Sequence, residues 1–394
     1  MSANIVLGVT GGIAAYKTLQ VASTLTKLGH NVYTIMTESA AEFINPITFH
    51  SITHLPVESK LFSTTTSEVK HIGLADKADL FLIAPATANF IAKAAAGIAD
   101  DLLTTVILAT KAPIMLAPSM NVHMFENPIV QRNMQTLEEF GYEIITPAAG
   151  YLACGYTGKG RLPEPERLVE EIKRKLTKKD LQNKKIIITA GPTREALDPV
   201  RFISNYSSGK MGYALAEAAA YRGAEVKLIS GPTELKPPLG VEVLDVESAA
   251  EMKKSVFAEF ENADITIMAA AVADYSPQQF SGQKIKKKDG NLTLSLERTT
   301  DILAELGKKK SNSQLLIGFA AESENLLANA QQKLRNKQAD YIVANDISNK
   351  DIAFGSSKNQ VTILSEEGST KLPLMEKEKL AYKILNYILD SERK

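Results

Sequence analysis

Apolar residues recur along this chain in two rhythms. Strand-sized runs stand at Ile5–Val9, Asn31–Met36, Leu80–Ala84, Ile114–Ala117 and Tyr142–Ile145. Between them, helical spacing predicts helices over Ala15–Leu28, Asn89–Ala96, Leu102–Ala109 and Pro128–Phe140. Short apolar runs separated by helical periods predict βαβ units and a parallel sheet. A glycine-rich loop follows from Ala149 to Gly160, and a charged stretch over Glu164–Lys185 predicts a further helix. That stretch is the best boundary and divides the chain into domains 1–182 and 183–394. The rhythm then restarts. Strands are predicted at Ile186–Thr189, Val226–Ile229, Val241–Leu244, Ile265–Met268, Leu315–Phe319 and Tyr341–Ala344, with helices over Gly209–Arg222 and Asn325–Gln338. The halves share this grammar but no motif, which points to a fusion of two different α/β units.

Composition narrows the class. The 394 residues carry 45 Lys plus Arg against 45 Asp plus Glu. That balance argues against bulk binding to nucleic acid or to an anionic membrane. No apolar run approaches the roughly 20 residues of a membrane span. Cys154 is the one cysteine, so no intramolecular disulfide can form, which fits a reducing compartment. The first strand begins almost at once, which predicts no export signal and a cytoplasmic enzyme.

In the first half, Thr10-Gly11-Gly12-Ile13-Ala14-Ala15 joins a strand to a helix. Glycines there let backbone approach a ligand, and a helix start offers N–H groups to phosphate. A plain tight turn fits equally well. Ala84-Pro85-Ala86-Thr87-Ala88-Asn89 and Ala117-Pro118-Ser119-Met120-Asn121 end the next strands. Ligands of open parallel sheets bind at such ends. Small residues leave room for a flat ring, and Thr87, Asn89 and Asn121 offer hydrogen bonds.

In the second half, Gly191-Pro192-Thr193-Arg194-Glu195 follows a strand, and Ser204-Asn205-Tyr206-Ser207-Ser208-Gly209-Lys210 opens a helix. Capping by Ser207 or Ser208 is one explanation. The nearness of Asn205, Arg194 and Lys210 favours a phosphorylated ligand. Lys284-Ile285-Lys286-Lys287-Lys288 either surrounds an anion or forms a solvated hairpin tip. Lys333 and Lys337 repel mildly at i,i+4 and hint at a phosphate partner.

The Gly-Gly turn, Ala-Pro-Ala-Thr-Ala-Asn, Pro-Ser-Met-Asn and Ala-Cys-Gly-Tyr-Thr-Gly-Lys-Gly-Arg resemble the homo-oligomeric flavin-containing cysteine decarboxylases. Gly-Pro-Thr-Arg-Glu, Ser-Asn-Tyr-Ser-Ser-Gly-Lys-Met-Gly, Ala-Ala-Val-Ala-Asp-Tyr and Lys-Ile-Lys-Lys resemble CTP-dependent phosphopantothenate–cysteine ligases. Together they resemble the bifunctional decarboxylase/ligase family of coenzyme A synthesis. The resemblance implies two Rossmann-like domains, a flavodoxin-like FMN domain and a nucleotide-binding ligase domain. It implies FMN contacts at Gly11, Gly12, Ile13, Thr37, Ser39, Ala86, Thr87, Asn89 and Met120. His71 is the implied base, Asn121 the carboxylate ligand and Cys154 the proton donor. In the ligase, Asn205 holds the phosphopantothenate carboxylate and Lys284 stabilises an acyl-cytidylate. The implied CTP site is Met268, Ala269, Ala270, Asp274, Lys284, Thr300, Asp301, Ile302, Leu303, Phe319, Lys333 and Lys337, with Mg²⁺ ligands unassigned. The implied small molecules are 4′-phosphopantothenate, L-cysteine and CTP, and the implied assembly is a homododecamer of flavin-domain trimers and ligase-domain dimers. Thr87, Ser119 and Thr300 depart from residues usual in the family motifs. A tandem NAD(P)-binding dehydrogenase and a non-catalytic flavoprotein are the competing classes. Absence of GxGxxG from both halves counts against the first, and the presence of His71, Asn121, Cys154 and Lys284 against the second.

Overall fold

The computed structural model describes residues 2–62, 70–151, 155–287, 291–322, 324–346 and 355–392. The chain forms two compact units, Met1–Thr177 and Lys178–Lys394.

In the first unit, β1 (Asn4–Val9), β2 (Asn31–Met36), β3 (Val57–Glu58), β4 (Leu80–Ala86), β5 (Ile114–Pro118) and β6 (Glu143–Ile144) form one sheet. The order is β3-β2-β1-β4-β5-β6, parallel throughout. Helices cover both faces, so β1 and β4 are buried on both sides. Ile5, Leu7 and Val9 pack with Val21 and Leu168 on one face; Val6 packs with Ile91 and Val106 on the other. This explains why these strands read as continuous apolar runs. The chain steps outward from β1 to β2 and β3, then returns to place β4 on the other side of β1. Omitting the two-residue stub β3 leaves the 2-1-3-4-5 order of a flavodoxin-like sheet. A separate antiparallel hairpin, β7 (Ala148–Tyr151) and β8 (Thr157–Arg161), follows.

The helix predicted over Glu164–Lys185 is shorter, Pro165–Leu176. Thr177 takes an extended conformation and ends it. Lys179 then donates to the Tyr221 carbonyl oxygen, and Asp180 pairs with Arg222 at 2.8 Å. These bonds draw residues 178–182 into the second unit, so the division falls before the expected 182/183 boundary.

The second unit contains β9 (Lys185–Ala190), β10 (Arg194–Ala196), β11 (Phe202–Ser204), β12 (Glu225–Ser230), β13 (Val241–Asp245), β14 (Ile265–Met268), β15 (Tyr275–Pro277) and β16 (Leu296–Arg298). It continues with β17 (Leu315–Glu322), β18 (Tyr341–Asp346), the short β19 (Lys358–Asn359), β20 (Val361–Ser365) and β21 (Gly368–Lys371). The main sheet runs β13-β12-β9-β14-β17-β18-β20-β21. Its strands are parallel through β18, and β20 and β21 add an antiparallel edge. The winding again reverses beside the first strand, between β9 and β14. Both units are thus Rossmann-like, and each has a switch-point crevice at the carboxyl ends of its central strands.

Candidate active sites

One hydroxyl joins the strand ends in the first crevice. Thr10, just after β1, donates from Oγ1 to the Pro85 carbonyl oxygen at 2.6 Å and accepts from the Thr87 N–H at 3.2 Å. Above it opens a cavity of about 1340 Å³, whose wall includes Gly11, Gly12, Ile13, Thr37, Ser39, Thr87, Asn89, Met120 and Asn121. Of the expected flavin contacts, only Ala86 is absent from that wall. It is fully buried, and its carbonyl oxygen accepts from the Ser119 N–H at 3.1 Å.

The two glycines of the turn have different reasons to be there. A β-carbon on Gly11 would lie 2.3 Å from Ser39 Cβ, so the turn presses flush against Ser39. At Gly12 the nearest atoms are 3.9 Å away. The helix Ala15–Lys27 begins at Ala14 without a side-chain cap, although the Ala15 and Lys17 N–H groups already donate to the Gly12 and Ala14 carbonyl oxygens. A flat ring with a phosphate tail fits this combination of uncapped helix start, small residues and roomy cleft. Several polar groups also cap helices. Thr37 Oγ1 accepts from Ala40 N–H at 3.3 Å, Thr87 Oγ1 from Phe90 N–H at 3.4 Å, and Asn121 Oδ1 from His123 N–H at 2.8 Å. Threonine at 87 keeps the capping hydroxyl that serine provides, which accounts for that departure.

The β7–β8 hairpin borders the same cavity. Gly160 accepts from the Met120 N–H at 2.9 Å, and a β-carbon there would lie 2.4 Å from the Met120 carbonyl oxygen. Tyr151, Gly160 and Arg161 belong to the wall. Cys154 falls between these strands in sequence and lies outside the described residues. His71 sits half-buried in the helix Lys70–Lys77 and is not part of the cavity wall of its own chain.

Sequence reasoning missed one cluster in this wall. Glu164 accepts from Lys17 Nζ at 2.9 and 3.0 Å and from Arg161 at 2.8 Å. The Lys17 bond holds the Glu164 carboxyl below the usual carboxylate range. Two cations share one carboxylate beside the glycine turn. The Gly-Lys-Gly-Arg run was visible in sequence; its three-way pairing was not.

In the second crevice, backbone and threonines stitch the loops after β9 and β14 together. Ala271 N–H donates to the Gly191 carbonyl oxygen at 2.9 Å, Ala270 N–H to Thr189 Oγ1 at 3.1 Å, and Ala273 N–H to Thr193 Oγ1 at 3.0 Å. Asn205 Nδ2 donates to the Ala271 carbonyl oxygen at 3.1 Å, which brings Asn205 to the Met268–Ala271 strand end. Arg194, paired across β10–β11 with Ser204, stacks on Phe202 at 4.6 Å. Lys210 reaches the Gly355 carbonyl oxygen instead, at 2.7 Å.

Lys284 is exposed, but its neighbour is anchored. Asp198 Oδ2 accepts from Ile285 N–H at 3.0 Å, while Oδ1 accepts from Val200 and Arg201 N–H groups at 2.8 Å each. Burial pushes this carboxyl up, but the three N–H bonds outweigh it and hold it below its ordinary value. Thr299 ties the next segment back, donating from N–H to Asp274 O at 3.0 Å and from Oγ1 to Ala273 O at 2.5 Å. Asp301 caps the helix Ile302–Lys309 and also pairs with Lys337. Lys333 pairs with Glu322 at 2.6 Å. The repulsion between Lys333 and Lys337 is therefore offset by carboxylates in this structure. At Thr300, where the family motif has proline, Lys253 donates to Oγ1 at 3.3 Å. A cleft of about 420 Å³ lies beside it, lined by Glu195, Lys253, Phe257 and Arg298. Among the described residues no group of three or more His, Cys, Asp or Glu could hold a metal, and no helix is long and apolar enough to cross a membrane.

Two Rossmann-like units, one with a small-residue cavity and one with a threonine-stitched crevice, define a two-domain α/β enzyme. Residues 1–177 match the family model "Flavoprotein", and residues 181–391 match "DNA/pantothenate metabolism flavoprotein C-terminal domain". The chain is 49% identical over 391 residues to the Coenzyme A biosynthesis bifunctional protein CoaBC of Bacillus subtilis, covering 98% of this chain and 96% of that one. It is 46% identical over 387 residues to the protein of the same name from Vibrio cholerae, covering 98% and 97%. A cysteine/cysteine sulfinic acid decarboxylase from an unknown prokaryotic organism is 46% identical over 354 residues, covering 88% of this chain and 99% of that one. The chain belongs to the family of bifunctional coenzyme A biosynthesis proteins. It is an enzyme of that pathway, a flavoprotein-type decarboxylase followed by a ligase.

Proposed function

We propose that the second domain joins L-cysteine to 4′-phosphopantothenate with CTP and Mg²⁺, and that the first domain decarboxylates the product to 4′-phosphopantetheine with FMN. The observation that supports this reading is the first cavity, whose wall holds the expected flavin contacts but for Ala86, together with the Asn205 bond to the Ala271 carbonyl oxygen at the second switch point. In the ligase, Asn205 at the Ala271 strand end receives the substrate carboxylate. Lys284, on the segment anchored by Asp198, closes over it as the acyl-cytidylate forms and pyrophosphate leaves. The cysteine amine then attacks the activated carbonyl carbon, CMP departs and the amide remains.

In the decarboxylase, Gly11, Gly12, Thr87, Asn89 and Met120, which line the cavity, would hold the flavin. A bound flavin would supply reversible hydride transfer at the CH₂–SH carbon, the chemistry that loss of CO₂ requires. Asn121, fixed by its cap, orients the substrate carboxylate. Cys154 delivers the proton that accompanies the returning hydride. His71 takes the thiol proton, and in the expected flavin-domain trimer it does so from a neighbouring copy, since it is outside its own cavity wall. The homododecamer and the cytoplasmic location belong to this same reading.

The test is a coupled assay on purified protein. With 4′-phosphopantothenate, L-cysteine, CTP and Mg²⁺ it should release pyrophosphate and CO₂ in equal amounts. Free cysteine or cysteine sulfinate alone should release no CO₂. Release of CO₂ from either free amino acid, without CTP, would refute the reading in favour of direct amino-acid decarboxylation.

A further inference from the structure

Two lysines of the second unit converge on neighbouring backbone carbonyls. Lys210 begins the helix Lys210–Tyr221, and Lys377 begins the helix Lys377–Ser391. Lys210 Nζ donates to the Gly355 carbonyl oxygen at 2.7 Å, and Lys377 Nζ to the next carbonyl oxygen, that of Ser356, also at 2.7 Å. Among the described residues no carboxylate forms an ion pair with either lysine. Neither helix start carries a side-chain cap hydrogen bond, although Glu376, paired with Lys358 at 4.0 Å, stands at the N-cap of the second and Glu378 in its first turn. Lys377 is held below the usual lysine range by burial and by the charge of Lys210. Bringing like charges together at two positive helix ends is unfavourable unless an anion offsets it. The place is also apt. Gly209, just before Lys210, packs against Gly191 at the end of β9, and Asn205 lies a few residues upstream.

We propose that Lys377 and Lys210 form a binding subsite for a phosphate group, and that the group it takes is the polyphosphate tail of the nucleotide used in ligation. This rests on the ligase reading above and adds to it a residue from the C-terminal helix that the motifs did not mark. The neutral carbonyls now touching both ammonium groups keep them solvated in the ligand's stead. An incoming polyphosphate exchanges those bonds for charge-assisted ones.

Calorimetry on the full chain separates the possibilities. Inorganic pyrophosphate, CTP, cytidine, 4′-phosphopantothenate and pantothenate are titrated into the parent, Lys377→Gln and Lys377→Arg. Lys377→Gln should weaken pyrophosphate and CTP about tenfold or more, as loss of a charge-assisted bond implies. Cytidine and pantothenate should be unaffected, Lys377→Arg should retain most of the binding, and decarboxylation of supplied phosphopantothenoylcysteine should continue. A loss confined to 4′-phosphopantothenate would overturn the assignment to the nucleotide. Unchanged pyrophosphate binding, or equal weakening of the phosphate-free ligands, would overturn the subsite itself. If the parent binds pyrophosphate through Lys377 but performs no CTP-dependent ligation, the subsite stands and the ligase reading falls.

Discussion

Gly11→Ala offers a direct test of how the glycine turn builds the flavin cavity. The added methyl would sit 2.3 Å from Ser39 Cβ and 2.8 to 2.9 Å from the Ser39 carbonyl group. An ordinary carbon–carbon contact is about 3.5–4.0 Å, so the two loops must separate by roughly 1 Å. The obstruction is partly backbone, so no rotamer change relieves it. Such overpacking costs about 1–3 kcal/mol. In a domain of this size that lowers Tm by about 2–4 °C for each kcal/mol. Ser39 and Gly11 both face the proposed flavin, so the same shift misplaces its contacts. Gly12→Ala is the internal control, because its nearest neighbours are 3.9 Å away. Flavin absorbance per chain and the thermal transition of both variants are the readouts. Gly11→Ala should purify with little flavin and a lowered Tm, while Gly12→Ala should fold with the parent's stability. A Gly11→Ala protein with full flavin and an unchanged Tm would refute the steric argument.

Three further outcomes follow from the same structure. Cys154→Ser should lose CO₂ but stop before the reduced product, seen as an oxidised thiol product by mass spectrometry; normal 4′-phosphopantetheine formation would remove Cys154 from the mechanism. Asp198→Asn should lower ligase kcat, measured as pyrophosphate release, and spare decarboxylation. An asparagine must set its NH₂ against one of the N–H groups that the carboxylate accepts, from Ile285 or from Val200 and Arg201. Asp180→Ala should destabilise the second domain by about 3 kcal/mol, because the buried Arg222 loses its carboxylate and keeps only the neutral Asn386. The Arg222 hydrogen bond lowers the Asp180 pKa from 3.8, so its contribution is present above that value and fades as pH falls through the depressed folded value. Urea titrations of variant and parent should therefore converge in acid and separate near neutrality.

Central strands were legible because apolar and β-branched residues dominate their runs. The predicted Asn31–Met36 and Ile265–Met268 are the observed strands. The helix Leu102–Ala109 was equally clear, since Asp101 and Thr104 form a capping box at its start. Less was visible where strands are short or half-exposed. The pairs β10–β11 and β15–β16 gave no run long enough to separate from loop. The edge hairpin β20–β21 and the helix Lys377–Ser391 also escaped the pass along the chain. Candidate site residues were legible where a motif follows a strand, as at Gly11, Asn121 and Asn205. Residues acting through a distant partner, such as Glu164 with Lys17 or Lys377 with Lys210, have no spacing that announces them.

The first domain's sheet ends in the two-residue strands β3 and β6. Stubs of that length expose almost no unpaired ladder for another chain to extend. At this sheet's two margins, a neighbouring copy would meet side chains and loops rather than a ladder to continue. Growth by strand addition, the route to fibres, is closed at both margins while the domain stays folded.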